Sequence, residues 1–382
     1  MNPTELVIGR FSQRFHRPPT HLIRAPGRVN LIGEHTDYNE GLVMPLAIDL
    51  SLVMAVAARE DKWVAVHSLD LDSDAEFSLS KVRNTGSGWG EYLKGTGWAL
   101  QEHGYELAGW DGVLTSSIPI GAGLSSSAAL EMATIKAFEV VSGFAWEPIG
   151  LARIAQFAEN NWVGVNSGIM DQMIVAVGKR GSAVRIDCRS LEYHPVALPE
   201  GASIVIVDSG TRRSLVDSAY NERREQCEQA ARSFGLRSLR DLDLDRLKAG
   251  DQALAPEIFK RARHVVTENE RVEMAVAAMQ DNDAVRLGAI LKDGHTSLRD
   301  DFAVSRVEID SLVEIANARP ECYGARMTGG GFGGCVVCLV SSASLDEYVD
   351  GVQIRYREKT KIEAKVYITS AQDGVSAHEV LR

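Results

Sequence analysis

The sequence predicts an α+β protein of two domains with mixed sheets. Three observations carry this. Short β-branched runs alternate with helix-period patterns along the whole chain. A length of 382 residues exceeds what one compact core easily sustains. A stretch with two prolines and a glycine, Leu191 to Gly201, separates two strand-like runs. We place the domain boundary there, giving residues 1–190 and 191–382, and expect a small-molecule site in the crevice between them.

Taken in order, the apolar window Leu42 to Ala58 is interrupted by Pro45, Asp49 and Ser51. It reads as two buried strands with a break, the second over Ser51 to Ala57, and not as a membrane span. Strands are expected at Trp63 to Ser68 and Gly112 to Ser116, with a helix from Tyr92 to Glu102 between them. A helix from Ser126 to Val141 ends before Gly143, a residue suited to the left-handed backbone that closes a helix. Another runs from Pro148 to Asn161. Strands Ala183 to Asp187 and Ser203 to Asp208 flank the boundary. Beyond it come helices at Ser218 to Phe234, Arg263 to Met279, Ala284 to Asp293 and Ser305 to Ala318. Strands at Ala325 to Thr328 and Cys335 to Val340, a helix at Leu345 to Glu358 and a strand at Lys365 to Thr369 complete the chain.

With 45% hydrophobic and 24% charged residues, the composition is that of a soluble globular protein and excludes disorder, collagen and small disulfide scaffolds. Lys and Arg number 41 against 52 Asp and Glu, a net charge of −11. That sign repels nucleic acid and anionic lipid, and no dense basic run offsets it. The start, Met1 to Phe15, lacks the basic lead and unbroken apolar stretch of a secretory signal, so a cytoplasmic location is expected. Five scattered cysteines suggest no disulfide framework. Cys335 and Cys338 form a C-x-x-C, but on a strand they point to opposite faces and are expected to be buried core thiols.

Three segments carry chemistry. Pro119 to Glu131 follows a strand and opens a helix. Gly121 and Gly123 let backbone N–H groups approach a ligand, and the first turn of the helix leaves donors unpaired beside the positive end of its dipole. Phosphate is the expected guest, although a serine-capped helix after a tight turn has the same letters. The loop has neither the Gly-Lys-Ser/Thr ending of a P-loop nor any lysine. Neutralisation would therefore fall to Mg²⁺ held by a serine hydroxyl and a carboxylate. Arg24 to Tyr38 packs Arg28, Asn30, Glu34, His35 and Asp37 into a short stretch. A polyhydroxylated ligand, a solvated turn and a metal cage all suit it, but the spacing matches neither H-E-x-x-H nor an EF-hand. Arg326 to Cys335 has five glycines in six positions between strands, as expected of a tight hairpin or of a place where a ligand or another backbone comes very close. Asp171, among apolar neighbours, is a satisfied core carboxylate or a base.

The order of these segments resembles the three motifs of the GHMP small-molecule kinases. Gly27 to Tyr38, with Gly168 to Gln172 and Ile186 to Leu191, is similar to the galactokinase signature within that family. The resemblance implies a GHMP-kinase-like fold with its site in the interdomain cleft. It also implies ATP-dependent phosphorylation of the anomeric hydroxyl of α-D-galactose to galactose 1-phosphate, with ATP and Mg²⁺. Asp171 would be the base and Arg28 its orienting partner. Glu34, His35, Thr36, Asp37, Gly168, Asp171 and Tyr220 would hold the sugar. Gly121, Ala122, Gly123, Leu124, Ser125, Ser126 and Ser127 would cradle the triphosphate, Trp89 would stack on adenine, and Ser127 and Glu159 would bind the metal. The implied partners are galactose and ATP, with no nucleic acid or membrane, for a monomer or weak homodimer. Rival readings are an N-acetylgalactosamine kinase and a non-catalytic galactose and ATP sensor. The intact Ser125 to Ala129, Asp171 and Arg28 argue against the sensor.

Overall fold

The computed structural model describes residues 2–211, 216–250 and 254–380, and of residues 216–218 the backbone alone. The chain opens with α1 (Pro3–Phe15), β1 (His21–Asn30), β2 (Leu42–Val43), β3 (Pro45–Ala58), β4 (Trp63–Ser68), β5 (Ser73–Ser78), α2 (Gly90–Glu102) and β6 (Trp110–Ser116). Then come α3 (Ser126–Ser142), α4 (Pro148–Ala158), α5 (Met170–Val177), β7 (Ser182–Asp187), β8 (Tyr193–Ala197) and β9 (Ala202–Asp208). The rest is α6 (Val216–Ser233), α7 (Leu244–Ala249), α8 (Pro256–Gln280), α9 (Ala284–Ser297), α10 (Val307–Asn317), β10 (Cys322–Thr328), β11 (Cys335–Ser341), α11 (Leu345–Thr360), β12 (Lys365–Thr369) and β13 (Ser376–Glu379).

A six-stranded sheet has the order β13-β1-β3-β6-β4-β5, antiparallel except where β4 pairs with β6. On it lies α3, whose residues Ala128 to Phe138 are all buried, as an almost uniformly apolar helix requires. A second, antiparallel sheet has the order β10-β11-β9-β12. Its central strand β11 alternates, sending Cys335, Val337 and Leu339 into the core around α3 and Val336, Cys338 and Val340 into the core beneath α10 and α11. The two cysteines are thus buried thiols on opposite faces, as expected. A three-stranded sheet, β2-β7-β8, completes the first half.

The structure corrects several sequence expectations. β3 runs unbroken through Asp49 and Ser51, and the break falls earlier, at Met44. The polar pair is tolerated because Arg24 Nε donates to Ser51 Oγ and Thr369 Oγ1 donates to Asp49 Oδ1, at 3.0 and 2.7 Å, while Pro45 occupies the strand's first position. The helix from Pro148 stops being α-helical at Ala158, and Glu159–Val163 form a π-turn. α8 starts seven residues earlier than its apolar period suggests, at Pro256. The elements α1, β1, β5, α5, α7, β8 and β13 are present beyond those the sequence predicts. The turn from β8 to β9 falls within Leu191 to Gly201, but β8 pairs with β7, and β13 returns to pair with β1 of the first sheet. Among the described residues no helix is long and apolar enough to cross a membrane.

Candidate active site

A cavity of about 570 Å³ opens between the first sheet with its helices and the loop joining β10 to β11. Arg28 reaches it from β1 at a register shift between Pro26 and Arg28, the kind of bulge that re-aims a side chain. Its Nε and Nη2 donate to the two carboxylate oxygens of Asp171 at 2.8 and 2.7 Å, and its Nη1 donates to the Gly123 carbonyl at 2.5 Å. Asp171 stands in the first turn of α5, its side chain a quarter exposed to the cavity. This fork-to-fork geometry fixes the carboxylate's plane.

Ser125 connects this pair to the glycine loop. It is the residue before α3, with φ 58, a left-handed backbone uncommon for serine, and its hydroxyl donates to Asp171 Oδ2 instead of capping the helix. The first-turn N–H groups of α3 therefore receive no serine cap and face the cavity with Gly121, Gly123, Leu124, Ser126 and Ser127. Ala122 departs from the expected set. It is buried and turned away from the cavity, and its carbonyl accepts from Cys335 Sγ at 3.2 Å. The glycines after β10 serve backbone against backbone: a Cβ on Gly334 would stand 3.0 Å from the Ala122 carbonyl oxygen.

The acidic stretch lies deeper. Burial, with the charge of Asp171 adding, raises the Asp37 carboxyl to about 6. Gly168 is obligatory beside it, because a Cβ there would lie 1.8 Å from Asp37 Oδ2. Burial holds His35 down to about 3, aided by His264, so its imidazole is neutral at ordinary pH. Its Nδ1 is 2.8 Å from the Tyr38 hydroxyl, its ring packs 5.3 Å from Tyr220 and 4.7 Å from Phe302, and its buried Nε2 has no hydrogen-bond partner. Glu34 is raised to about 7, chiefly by burial, against the attraction of Arg326. Glu34, His35, Asp37, Gly168 and Tyr220 all line the cavity. Thr36 does not: its hydroxyl is spent inside the loop on the carbonyls of Gly33 and Leu42, at 2.9 and 2.6 Å.

Trp89 is also elsewhere. Its indole N–H donates to Ser73 Oγ at 2.9 Å, and Tyr92, one helical turn on, lines the cavity with Ile120 and Val165.

Behind the loop, Glu159 accepts from Ser167 Oγ at 2.5 Å and from Gln172 Nε2 at 2.9 Å, and it hydrogen-bonds Ser127. Burial, with Asp171 nearby, raises its carboxyl above the usual range. Gln172 also donates to Glu131, a fully buried acid that burial pushes well above its ordinary value. The sequence gives neither Glu131 nor Gln172 a role, since each is one of several polar letters in a largely apolar helix. Among the described lining residues Arg28 is the one guanidinium and no lysine occurs, while Glu34, Asp37, Glu159 and Asp171 are acids. The hydroxyl of Ser127 against the carboxylate of Glu159 is a hard-oxygen pair that fits Mg²⁺ with the remaining positions left to phosphate and water.

Comparison with known proteins gives the chain's family. The galactokinase galactose-binding signature matches residues 9–58, the GHMP kinase N-terminal domain residues 91–179 and the GHMP kinase C-terminal domain residues 275–358. Galactokinase from Roseiflexus sp. (strain RS-1) is 43% identical over 371 residues, covering 96% of this chain and 95% of that protein. Galactokinase from Chloroflexus aggregans is 43% identical over 376 residues, 97% and 96% of the two chains. The crystal structure of Lactococcus lactis galactokinase complexed with galactose superposes with a TM-score of 0.93 at 33% identity, covering 97% and 98% of the two chains. Methanococcus jannaschii mevalonate kinase, at 18% identity and a TM-score of 0.69 over 94% and 100% of the chains, shares the fold. The two-domain α+β architecture is that of the GHMP kinases, and the chain belongs to the galactokinase family.

Proposed function

We infer that the protein transfers the γ-phosphoryl group of ATP to the anomeric hydroxyl of α-D-galactose, forming galactose 1-phosphate and ADP. The observation that carries this reading is the Arg28–Asp171 pair tied through Ser125 to the start of α3. It sets one oriented carboxylate between a deep acidic pocket suited to hydroxyl groups and a helix start suited to phosphate.

In this reading Glu34, His35, Asp37, Gly168 and Tyr220 hold the hexose. The acids accept hydroxyl protons, the neutral His35 offers its unpartnered Nε2, and Tyr220 closes the aromatic wall. Asp37 is the residue that rejects glucose, since the wrong 4-epimer leaves a buried acceptor unpaired. The loop Gly121 to Ser127 cradles the triphosphate with backbone donors, and Tyr92 with Ile120 flanks the base. Mg²⁺ held by Ser127 and Glu159 would neutralise phosphate charge. The 1-hydroxyl oxygen attacks the γ-phosphorus, the bond to the β-bridging oxygen breaks, and Asp171 accepts the hydroxyl proton. In a loose transition state that proton moves late, so a carboxylate already engaged by a guanidinium suffices, and Arg28 serves by holding its plane and by positive charge beside the transferring group. We place the reaction in the cytoplasm.

A coupled ADP-release assay over a hexose panel, with and without Mg²⁺, tests the reading. Galactose-dependent, Mg²⁺-dependent release with little from glucose is expected. Equal release with every hexose, or none with galactose, would overturn it.

A further inference from the structure

Two fully buried charges, Arg326 and Glu268, sit behind Glu34. Arg326, on β10 and fully buried, donates from Nη2 to Glu34 Oε2 and, at 2.7 Å, to Glu268 Oε1 on α8. Glu268 is also held by Arg271 Nε at 2.7 Å and by the backbone N–H of Gly33 at 3.0 Å. Room for the guanidinium exists because α9 carries Gly294, where a Cβ would stand 2.4 Å from Arg326 Nη1. Glu34 Oε1 is buried with no protein partner, and Glu34 lines the cavity. A buried guanidinium shared by two acids is poorly explained by stability, since apolar replacements of such clusters often cost nothing.

We propose that Arg326 is a positioning residue for sugar binding: it orients Glu34 as an ionised acceptor facing the hexose and ties it to the strand that enters the loop Gly329 to Gly334. The proposal deepens the function inferred above and rests on Glu34 being a sugar contact. Charged and titratable groups pack around Glu34 and around the strand segment that carries Arg326. Arg326 comes from β10. Glu268 and His264 come from α8, His264 Nε2 lying 3.1 Å from the Glu34 carbonyl. His35 stands beside it on the same loop, and His295 from α9 lies 3.4 Å from the backbone N–H of Met327. His35 and His264 are both held low by burial, at about 3 and about 4, and stay neutral. Glu268 is held far below the carboxylate range by Arg326 and Arg271 despite its burial. Glu34 is left as the member that titrates near neutrality, raised to about 7. Its ionised, accepting form grows as pH rises through that value.

The test is calorimetric titration of the free enzyme with galactose from pH 5.5 to 9, paired with kcat and KM. In wild type, affinity is expected to rise with pH through about 7. Arg326→Met should weaken galactose binding about tenfold or more at pH 7 and move the midpoint up, with kcat at saturating sugar within about threefold. Arg326→Lys should keep the midpoint and recover part of the affinity. Glu268→Gln, which removes a like charge while its remaining oxygen still accepts from Arg326 and Gly33 and only the Arg271 bond is lost, should move the midpoint down, and it tests the proposal even where Arg326→Met fails to fold. Wild-type affinity and profile in Arg326→Met, or an unmoved midpoint in Glu268→Gln, would overturn the proposal. Unchanged galactose binding in Glu34→Gln would instead remove Glu34 from the sugar site, and with it the reading on which the proposal rests.

Discussion

Two arginine–carboxylate clusters flank the same cavity, and they differ in stoichiometry and water. At the front, Arg28 meets one carboxylate fork to fork, and Asp171 keeps a quarter of its side chain exposed. At the rear, Arg326 divides one nitrogen between Glu34 and Glu268 with almost no exposure of any of the three. A pair with matched charges and an open edge suits a group that must meet a reacting hydroxyl. A guanidinium shared by two buried acids leaves one of them close to neutrality and suits binding. The same residue types thus serve chemistry in one place and recognition in the other, and burial with charge count decides which.

The comparison breaks most visibly at its front. Asp171→Asn should lower kcat by about a thousandfold, roughly 4 kcal/mol of transition-state stabilisation, with ATP binding intact by calorimetry. Retention of most of kcat would remove Asp171 from the base role. Arg28→Lys keeps the charge and loses the fork, and kcat should fall by about ten- to a hundredfold in steady-state assays. Gly168→Ala pushes a methyl group into Asp37 and should raise the galactose KM about tenfold while leaving the ATP KM alone. Asp37→Ala should shrink the galactose-over-glucose ratio of kcat/KM about tenfold. Equal losses for both sugars would deny it the 4-hydroxyl.

The smallest effect is the pH dependence. The Asp37 and Glu34 carboxyls are raised to about 6 and about 7, so their ionised forms increase across that window. Sugar KM should therefore fall several-fold from pH 5.5 to 8, as expected for acceptors that gain charge with pH. A KM that is flat or rises over the range would show that the neutral acids bind.

The front cluster and the Glu34 end of the rear one are legible in the sequence, whereas Arg326 and Glu268 are not. Arg28, Glu34, His35 and Asp37 lie within ten residues, and Asp171 stands out as a charge in an apolar run. The serine-rich helix start and the glycines of Arg326 to Cys335 are equally plain, and of the two readings open there both are found, an antiparallel turn from β10 to β11 and a close backbone approach of Gly334 to Ala122. Arg326 pairs with Glu34 across 292 positions and with Glu268 across 58, separations that leave no local period to read. Its signal was a charge inside a strand with Ala325 and Met327 on either side, but that segment was read for its glycines. Strand β1 was hidden by Arg24, Pro26, Gly27 and Arg28, the same letters that make the bulge aiming Arg28. Trp89, implied by the resemblance, lies outside the cavity while Tyr92 lines it, because the rotation of a helix about its axis is not visible in a sequence.

The most direct test of the division between front and rear is the split of kcat from KM in Asp171→Asn and Glu34→Gln, measured side by side with galactose at fixed saturating ATP. The account predicts that Asp171→Asn loses kcat with galactose affinity near wild type, and that Glu34→Gln loses affinity while keeping most of kcat. The reverse pattern, or loss of kcat alone in both, would contradict it.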